Sequence, residues 1–319
     1  MHCLPCAGIL SAGLLAVTLS VTPAAADTVK IVVPFPAGGP VDMVARLLAQ
    51  ELGPRLNADV VVENRGGAGG AIASEMVARA PADGKTLYVA SHGSFVINAV
   101  LRPPTAYDPL KAFTPIALVG TAPSLFIVRA DYPAATLAEF IARAKQGTKM
   151  TYASAGAGTT MHIAGEQLNV ATGMKLTHVP YRGAAPAIND LLGGHVDIMN
   201  ADLPVLLPQV TSGKARALAL AATERTPLLP NLPTTVEQGY PDVLMANWYG
   251  LFAPAGLTPE MQATLEKAVM EIMKVPAVAE RLNAGGVRGT LGGKAFRTQL
   301  DREFAYWGPE IKKLGITAE

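Results

Sequence analysis

The first clear hydrophobic pattern in the chain covers residues 29–52. The run VKIVV at 29–33 is β-branched at four of its five positions. Such a run is typical of a strand that is buried on both faces of a parallel sheet. The apolar residues that follow recur at helical spacing, at Val41, Val44, Ala45, Leu48 and Leu52. The pattern therefore predicts a strand, a short break and a helix, which is how an α/β fold begins.

The break, FPAGGP at 35–40, is rich in proline and glycine. Prolines have no N–H to donate to a sheet, and glycines allow the backbone to approach a ligand closely. The first N–H groups of the following helix have no partner within it, so they attract anions. The candidate ligand-binding residues are Phe35, Ala37, Gly38 and Gly39. Alternatively, the two glycines only form a tight turn.

Another apolar strand is predicted at 87–90, and the polar residues Ser91, His92 and Ser94 follow it. In open α/β sheets, ligands bind outside the carboxyl ends of the strands. These three residues are therefore candidates for the same binding site. Alternatively, they belong to a polar loop that leads into a helix.

The order of strand, glycine-rich loop and helix recurs in the second half of the chain. A strand predicted at 150–153 leads into the loop SAGAGTT at 154–160, and a helical pattern follows. The candidates in this loop are Ala155, Gly158, Thr159 and Thr160. Two helix starts would then form the two sides of one cleft.

Another strand, predicted at 196–199, is followed by the polar residues Asn200 and Asp202, which we also expect at the cleft. The alternative for Asp202 is a helix-capping aspartate that faces away from the cleft. Tyr181 and Arg182 follow a different predicted strand. They could reach a ligand, or the arginine could tie two loops together.

His162 and Glu166 are four residues apart on the predicted second-half helix, a spacing that can hold a metal. A third ligand is missing nearby and the HExxH pattern is absent. We therefore expect no metal site. We interpret His162 as a hydrogen-bonding or capping residue of the cleft.

The chain after residue 26 is predicted to form two α/β domains, and it passes from one domain to the other at two places. Strands at 116–119 and 125–128 flank Pro123, and a strand at 248–252 returns to the first domain. Discontinuous domains of this kind close on a ligand about a hinge. The predicted domains are residues 27–123 with 248–319, and residues 124–247.

The glycine-rich segments of this sequence do not match the known motifs for nucleotide cofactors. The glycine run at 66–70 does not fit the GxGxxG pattern, and GKT at 84–86 lacks the first glycine of a P-loop. We therefore expect no cofactor. The 26 basic and 25 acidic residues include no basic cluster, which argues against a nucleic-acid partner.

The first 26 residues have the pattern of a cleavable signal peptide. Residues 9–21 are apolar, and Ala24-Ala25-Ala26 fits the small-residue cleavage signal. The apolar run is too short to span a membrane comfortably. Both cysteines, Cys3 and Cys6, lie in this segment, so we expect a mature chain without disulfides or thiol catalysis.

Six motifs, in order along nearly the whole chain after residue 26, carry a resemblance to a known family. They are PFPAGGPVDMVAR (34–46), VENRGGAGG (62–70), DGKTL (83–87), YASAGAGTTMHIAGE (152–166), VPYRGAAPAINDLLGGHVD (179–197) and GKARALA (213–219). They strongly resemble the Bug family, the periplasmic solute receptors of tripartite tricarboxylate transporters.

The resemblance implies a type II periplasmic-binding-protein fold, with two α/β domains joined by a hinge and a ligand cleft between them. It implies that backbone amides and ordered waters hold a ligand carboxylate, largely from the loops at 35–40 and 154–160. It also implies a periplasmic location, a large and a small membrane subunit as partners, and no enzymatic activity. We expect a monomer.

One position departs from the family pattern. Many relatives resemble Phe-Asp-Asn before Leu-Pro, whereas this chain has Asn200-Ala201-Asp202. If Asp202 lines the site and is charged, it disfavours a second ligand carboxylate beside it and favours a hydroxyl or an amine. The ligand stays open among dicarboxylates, tricarboxylates, aromatic acids and amino acids.

Two other functions stay open at this point. The protein could present its ligand to a periplasmic sensor kinase, because that role needs the same closing motion. It could also be a periplasmic enzyme that uses His92 or His162 as a base, although the motifs provide no nucleophile, metal site or cofactor site for catalysis.

Overall fold

The computed structural model describes residues 27–102, 107–147 and 149–317. The predicted signal peptide, residues 1–26, lies outside the described residues. None of the helices in the described part of the chain is both long enough and apolar enough to span a membrane.

Strands and helices alternate along most of the described chain. The first half contains β1 (Asp27–Val33), α1 (Pro40–Leu56), β2 (Ala58–Asn64), α2 (Ala71–Ala78), β3 (Thr86–Ser91), α3 (Asn98–Leu101), α4 (Pro109–Ala112), β4 (Phe113–Arg129) and α5 (Leu137–Ala144). The second half contains β5 (Thr151–Ser154), α6 (Thr160–Thr172), β6 (Thr177–Pro180), α7 (Ala184–Leu192), β7 (Ile198–Asp202), α8 (Leu203–Thr211), β8 (Ala215–Leu220), β9 (Ala246–Pro254), α9 (Pro259–Ile272), α10 (Pro276–Ala284), β10 (Leu291–Gly292) and α11 (Gly293–Lys313). A π-helical turn, Gly93–Ile97, precedes α3.

The strands form two sheets that share β4. The first sheet has the order β2-β1-β3-β9-β4, with β10 also paired to β4. The second sheet has the order β8-β4-β7-β5-β6. Strand β1 pairs in parallel with β2 and β3, and β5 pairs in parallel with β6 and β7. Strands β4 and β9 run antiparallel to their neighbours and connect the two halves.

Strand β4 differs from the sequence-based prediction of two strands separated at Pro123. It is one strand of 17 residues that belongs to both sheets. Pro123 lacks an N–H, but the next residue resumes the pairing, because the Ser124 N–H donates to the Met245 carbonyl at 3.1 Å. The predicted domain boundaries near Pro123 and Trp248 stay a prediction, since β4 and β9 run through both positions without a break.

Residues 31–33 are buried on both faces of the first sheet, as the β-branched run predicts, whereas Lys30 is exposed. Ile31 and Val33 pack on the side of α1 and α9. Val32, between them, belongs to the core on the opposite face, which also contains Phe296 of α11. Because parallel strands with helices on both faces end along one edge, the loops after β1 and β3 lie together.

Candidate functional site

A cavity of about 50 Å³ lies between the two sheets. Most of its lining residues are alanine, glycine, proline and other apolar residues. From the first half of the chain it is lined by Phe35, Pro36, Ala37, Gly39, Pro40, Val41, Ser91 and Gly93. From the second half it is lined by Ala155, Thr159, Thr160, Met161, Gly183, Ala184, Ala185, Pro186, Ala201, Asp202, Val205 and Asn247.

Four helices begin at this cavity. The first turns of α1, α6, α7 and α8 contribute Val41, Thr160, Ala185 and Val205 to the lining. The N–H groups of a helix's first turn have no acceptor within the helix, and they carry the positive end of the helix dipole. The cavity therefore presents donors and positive potential from both sides, an arrangement that suits an anion.

The buried carboxylate of Asp42 fixes the conformation of the first loop. Gly38 adopts a φ of +90°, which few other residues tolerate, and its N–H donates to Asp42 Oδ2 at 3.0 Å. Asn64 Nδ2 donates both to Asp42 Oδ1 and to the Phe35 carbonyl. Phe35, Ala37 and Gly39 line the cavity, but Gly38 is exposed outside it and holds the shape of the loop.

Asp42 remains ionised in this position. Burial raises its pKa, but hydrogen bonds from Arg46, Gly38 and Asn64 outweigh burial and hold the pKa below the ordinary value of 3.8. A carboxylate that accepts this many donors fixes the backbone of residues 35–40 in one conformation.

Of the three candidates after β3, only Ser91 lines the cavity. Ser94 turns back on the loop, where its hydroxyl donates to the Ser91 carbonyl. The His92 ring is buried on the far side and packs against Trp248 and Trp307, with ring centroids 5.9 and 5.2 Å away. Burial lowers the pKa of His92, although the nearby Glu303 raises it. His92 is therefore a core residue rather than a cavity residue.

In the second loop, Ala155, Thr159 and Thr160 line the cavity, whereas Gly158 does not. Gly158 has a φ of +78°, and a Cβ there would lie 3.0 Å from Asn98 Nδ2 and 3.1 Å from Leu101 of the first half. Gly158 thus lies where the two halves of the molecule meet. The Thr159 hydroxyl caps α6 by accepting from the His162 N–H.

His162 is buried behind this loop and does not line the cavity. Its Nδ1 accepts the Gly158 N–H at 3.3 Å, and its ring stacks on His178 with centroids 4.0 Å apart. Burial lowers the pKa of His162 to about 4, so the ring is neutral at pH 7. Glu166 Oε1 accepts a hydrogen bond from the Tyr152 hydroxyl at 2.5 Å. Among the described residues, neither His162 nor Glu166 belongs to a group of three side chains that could hold a metal ion.

Asp202 lines the cavity and is 3% exposed. It is the N-cap residue of α8, yet its side chain forms no capping hydrogen bond. Instead, its Oδ2 accepts from Asn247 Nδ2 at 2.8 Å and from the Tyr249 hydroxyl at 2.6 Å. Burial raises the pKa of Asp202 to about 6, although these two hydrogen bonds lower it. The helix-capping interpretation of Asp202 is therefore wrong.

Asn200 and Asp202 both lie within β7 rather than beyond its end. Asn200 is buried outside the cavity, and its amide has no hydrogen-bond partner among the described residues. Tyr181 and Arg182 do not line the cavity either. The Tyr181 hydroxyl donates to Asp190 Oδ2 at 2.6 Å, and Arg182 is exposed.

Sequence reasoning missed three parts of the lining: the start of α7, the start of α8 and Asn247. The glycine that precedes α7, Gly183, is the same signal that indicated the first two loops. Asn247 has no such signal, because it lies within β9. Its Oδ1 accepts the His92 N–H at 3.1 Å while its Nδ2 donates to Asp202, so it joins the two halves beside the cavity.

Comparison with known proteins identifies relatives over nearly the whole chain. Residues 44–316 match the family described as tripartite tricarboxylate transporter family receptor (TctC). The chain is 33% identical to protein BugT of Bordetella pertussis over 301 residues, which is 92% of each protein.

Two solved structures support the same assignment. The periplasmic binding protein BugD has a TM-score of 0.87 and 37% identity, with 91% of this chain and 98% of that chain covered. MatC from Rhodopseudomonas palustris, solved with bound malate, has a TM-score of 0.83 and 35% identity, with 89% and 98% covered. The expected fold class, a periplasmic-binding-protein-like α/β fold, is confirmed. The chain belongs to the TctC, or Bug, family of tripartite tricarboxylate transporter receptors.

Proposed function

We propose that this protein captures a small carboxylate-containing solute in the periplasm by domain closure and delivers it to a tripartite tricarboxylate-type transporter. The observation that carries the proposal is the convergence of four helix starts, from both halves of the chain, on one cavity. The relative MatC, which was solved with malate, supports a carboxylate ligand. The proposed role involves no bond making.

The energetics of such a site are sufficient for capture. A carboxylate that leaves water needs several donors to replace its hydration. Hydrogen bonds to a charged group contribute about 1.5 to 3 kcal/mol each, and a helix start adds about 0.3 to 1 kcal/mol. A few such contacts would support micromolar affinity, about 8 kcal/mol, after the cost of ordering the ligand.

Closure follows from the division of the donors between the two halves. The start of α1 belongs to the first half, and the starts of α6, α7 and α8 belong to the second. Each half alone would hold a ligand weakly, so binding favours the closed arrangement. A transporter can then distinguish the loaded receptor by its closed shape. The partners that we propose are a large and a small membrane subunit.

Binding is tested with purified mature protein, freed of co-purified solute and titrated calorimetrically with a panel of dicarboxylates, tricarboxylates, aromatic acids and amino acids. We expect at least one acid to bind and to be recovered chemically unchanged. A Gly39→Val variant, whose side chain would enter the cavity, should lose this binding. Gly308→Val on α11, where a Cβ meets nothing within 4 Å, is the control.

Transport is tested separately in cells. Deleting the membrane subunits should abolish uptake of the bound acid, and deleting the receptor should do the same. If uptake persists without the membrane subunits and only an acid-induced change in gene expression is lost with the receptor, the protein serves sensing and the transport proposal fails.

A further inference from the structure

We propose that Asp202 binds a protonated amine of the ligand, so that the ligand class is amino acids rather than simple carboxylic acids. This inference rests on the proposed function, because it assigns the second polar group of a ligand whose carboxylate is held by the helix starts. The site is the wall of the cavity formed by the carboxyl end of β7 and by Asn247 of β9, two strands that β4 separates.

The two oxygens of Asp202 differ in their surroundings. Oδ2 accepts both available hydrogen bonds, from Asn247 and from Tyr249. Among the described residues, no donor contacts Oδ1. This oxygen is nevertheless not completely enclosed by the protein. Because Asp202 lines the cavity, Oδ1 is the oxygen that a ligand would reach.

No cationic side chain compensates the charge of Asp202. No lysine, arginine or histidine within the described ranges forms an ion pair with it. Both hydrogen-bond donors are neutral, since burial and the nearby Asp202 raise the pKa of the Tyr249 hydroxyl well above 10. A buried anion of this kind is costly until a cation joins it, and it repels a second carboxylate.

The shape of the cavity favours an amine next to a carboxylate. Asp202 immediately precedes α8, and the starts of α6 and α7 line the same cavity of about 50 Å³. Because the helix starts and the Asp202 carboxylate line the same cavity, they can contact neighbouring groups of one ligand. The α-carboxylate and α-ammonium of an amino acid provide that pairing. Phe35, Met161 and Val205 would face its side chain.

The test compares three series of acids that differ in one substituent. The series are L-alanine, L-lactate and propionate; L-aspartate, L-malate and succinate; and L-phenylalanine, L-phenyllactate and phenylpropionate. Affinities are measured by calorimetry at pH 8 for the wild type, for Asp202→Asn, and for Asp190→Asn as a matched control. Asp190 also accepts a tyrosine hydroxyl, that of Tyr181, but does not line the cavity.

We expect one amino acid to bind about tenfold or more tightly than its hydroxy and unsubstituted analogues. Asp202→Asn should remove that preference by weakening the amino acid, and Asp190→Asn should preserve it. The inference fails if a hydroxy or unsubstituted acid binds best, or if Asp202→Asn retains the preference; in both cases the proposed carboxylate receptor stands. Absence of binding by all nine acids would overturn the inference, whereas the proposed function fails only if the wider panel of acids, which includes tricarboxylates, also does not bind.

Discussion

Two buried aspartates show how strongly the surroundings of a residue decide its role. Asp42 and Asp202 are 4% and 3% exposed. Asp42 accepts from a guanidinium, a backbone N–H and an amide, and its pKa is lowered. Asp202 has only neutral donors, and its pKa is raised to about 6. Asp42 is therefore an anchor for the first loop, whereas Asp202 is available to a ligand cation.

Asp202→Asn should stabilise the ligand-free protein at pH 8. The pKa of Asp202 is raised from 3.8 to about 6, so the wild type loses stability as the pH rises through this interval, and the amide does not. This rise in the pKa corresponds to at most roughly 3 kcal/mol in the free energy of unfolding. Urea unfolding at pH 8, 6 and 4 should show a difference that shrinks towards pH 4. Equal stability at pH 8 would contradict the uncompensated charge.

Asp42→Asn should weaken ligand binding without any direct ligand contact. An amide cannot accept from Gly38, Arg46 and Asn64 together, so residues 35–40 lose their fixed conformation. We expect a loss of about 1 to 3 kcal/mol in unfolding free energy at pH 7 and a weaker affinity for the acid. Asp131→Asn, which removes an exposed pair with Arg129, is the control. Unchanged affinity in Asp42→Asn would show that the loop does not depend on this carboxylate.

At the level of elements, the site depends on how closely the end of β3 approaches the start of α6. A Cβ on Gly93 would lie 2.9 Å from the Thr160 backbone nitrogen and 3.1 Å from Thr159 Cα. Both are backbone atoms, so neither can move without shifting α6. Gly93 therefore allows the two halves to meet at the cavity.

Gly93→Ala should disfavour closure. The added methyl group meets α6 only when the halves are together, so we expect about tenfold weaker binding with little change in the Tm of the ligand-free protein. Gly308→Ala on α11, which meets nothing within 4 Å, should bind normally. Calorimetry and thermal unfolding measure the two quantities. A large fall in Tm with unchanged affinity would mean that Gly93 serves folding rather than closure.

At the scale of the whole molecule, two strands carry the connection between the halves. β4 is shared by both sheets, and β9 pairs with it from Phe113 to Pro123. Close contacts also join the halves beyond these strands, as where a Cβ on Gly69 would lie 2.5 Å from the Ala157 carbonyl oxygen. These contacts bring the two halves together beside the cavity, and a ligand that touches both halves is expected to favour this arrangement.

Ligand binding should make the protein more compact. In small-angle X-ray scattering, we expect the radius of gyration of the wild type to fall when the bound acid is added. Gly93→Ala should need a higher acid concentration for the same change. An identical radius with and without saturating acid would mean that the protein is already closed without ligand, and closure would then not depend on binding.

Most of the elements and the two glycine loops follow from local sequence patterns. Proline, glycine and β-branched residues act through backbone dihedral angles and local hydrogen bonds, so they indicate where a strand ends and a helix begins. The helix predicted from the apolar positions between Val41 and Leu52 lies within α1. Phe35, Gly39, Ala155 and Thr160 line the cavity because the loop after a parallel strand lies at the edge where ligands bind.

Local sequence patterns did not predict which side chains face the cavity. His92 and His162 follow the right strands, but their rings pack against Trp248 and His178 on the far sides of their elements. Asn247 joins the site from a strand that is distant in sequence, and the same residue sets the environment of Asp202. These outcomes depend on sheet twist and on packing between segments that no local pattern relates, because side-chain orientation and burial are set by contacts that form only when the two halves meet.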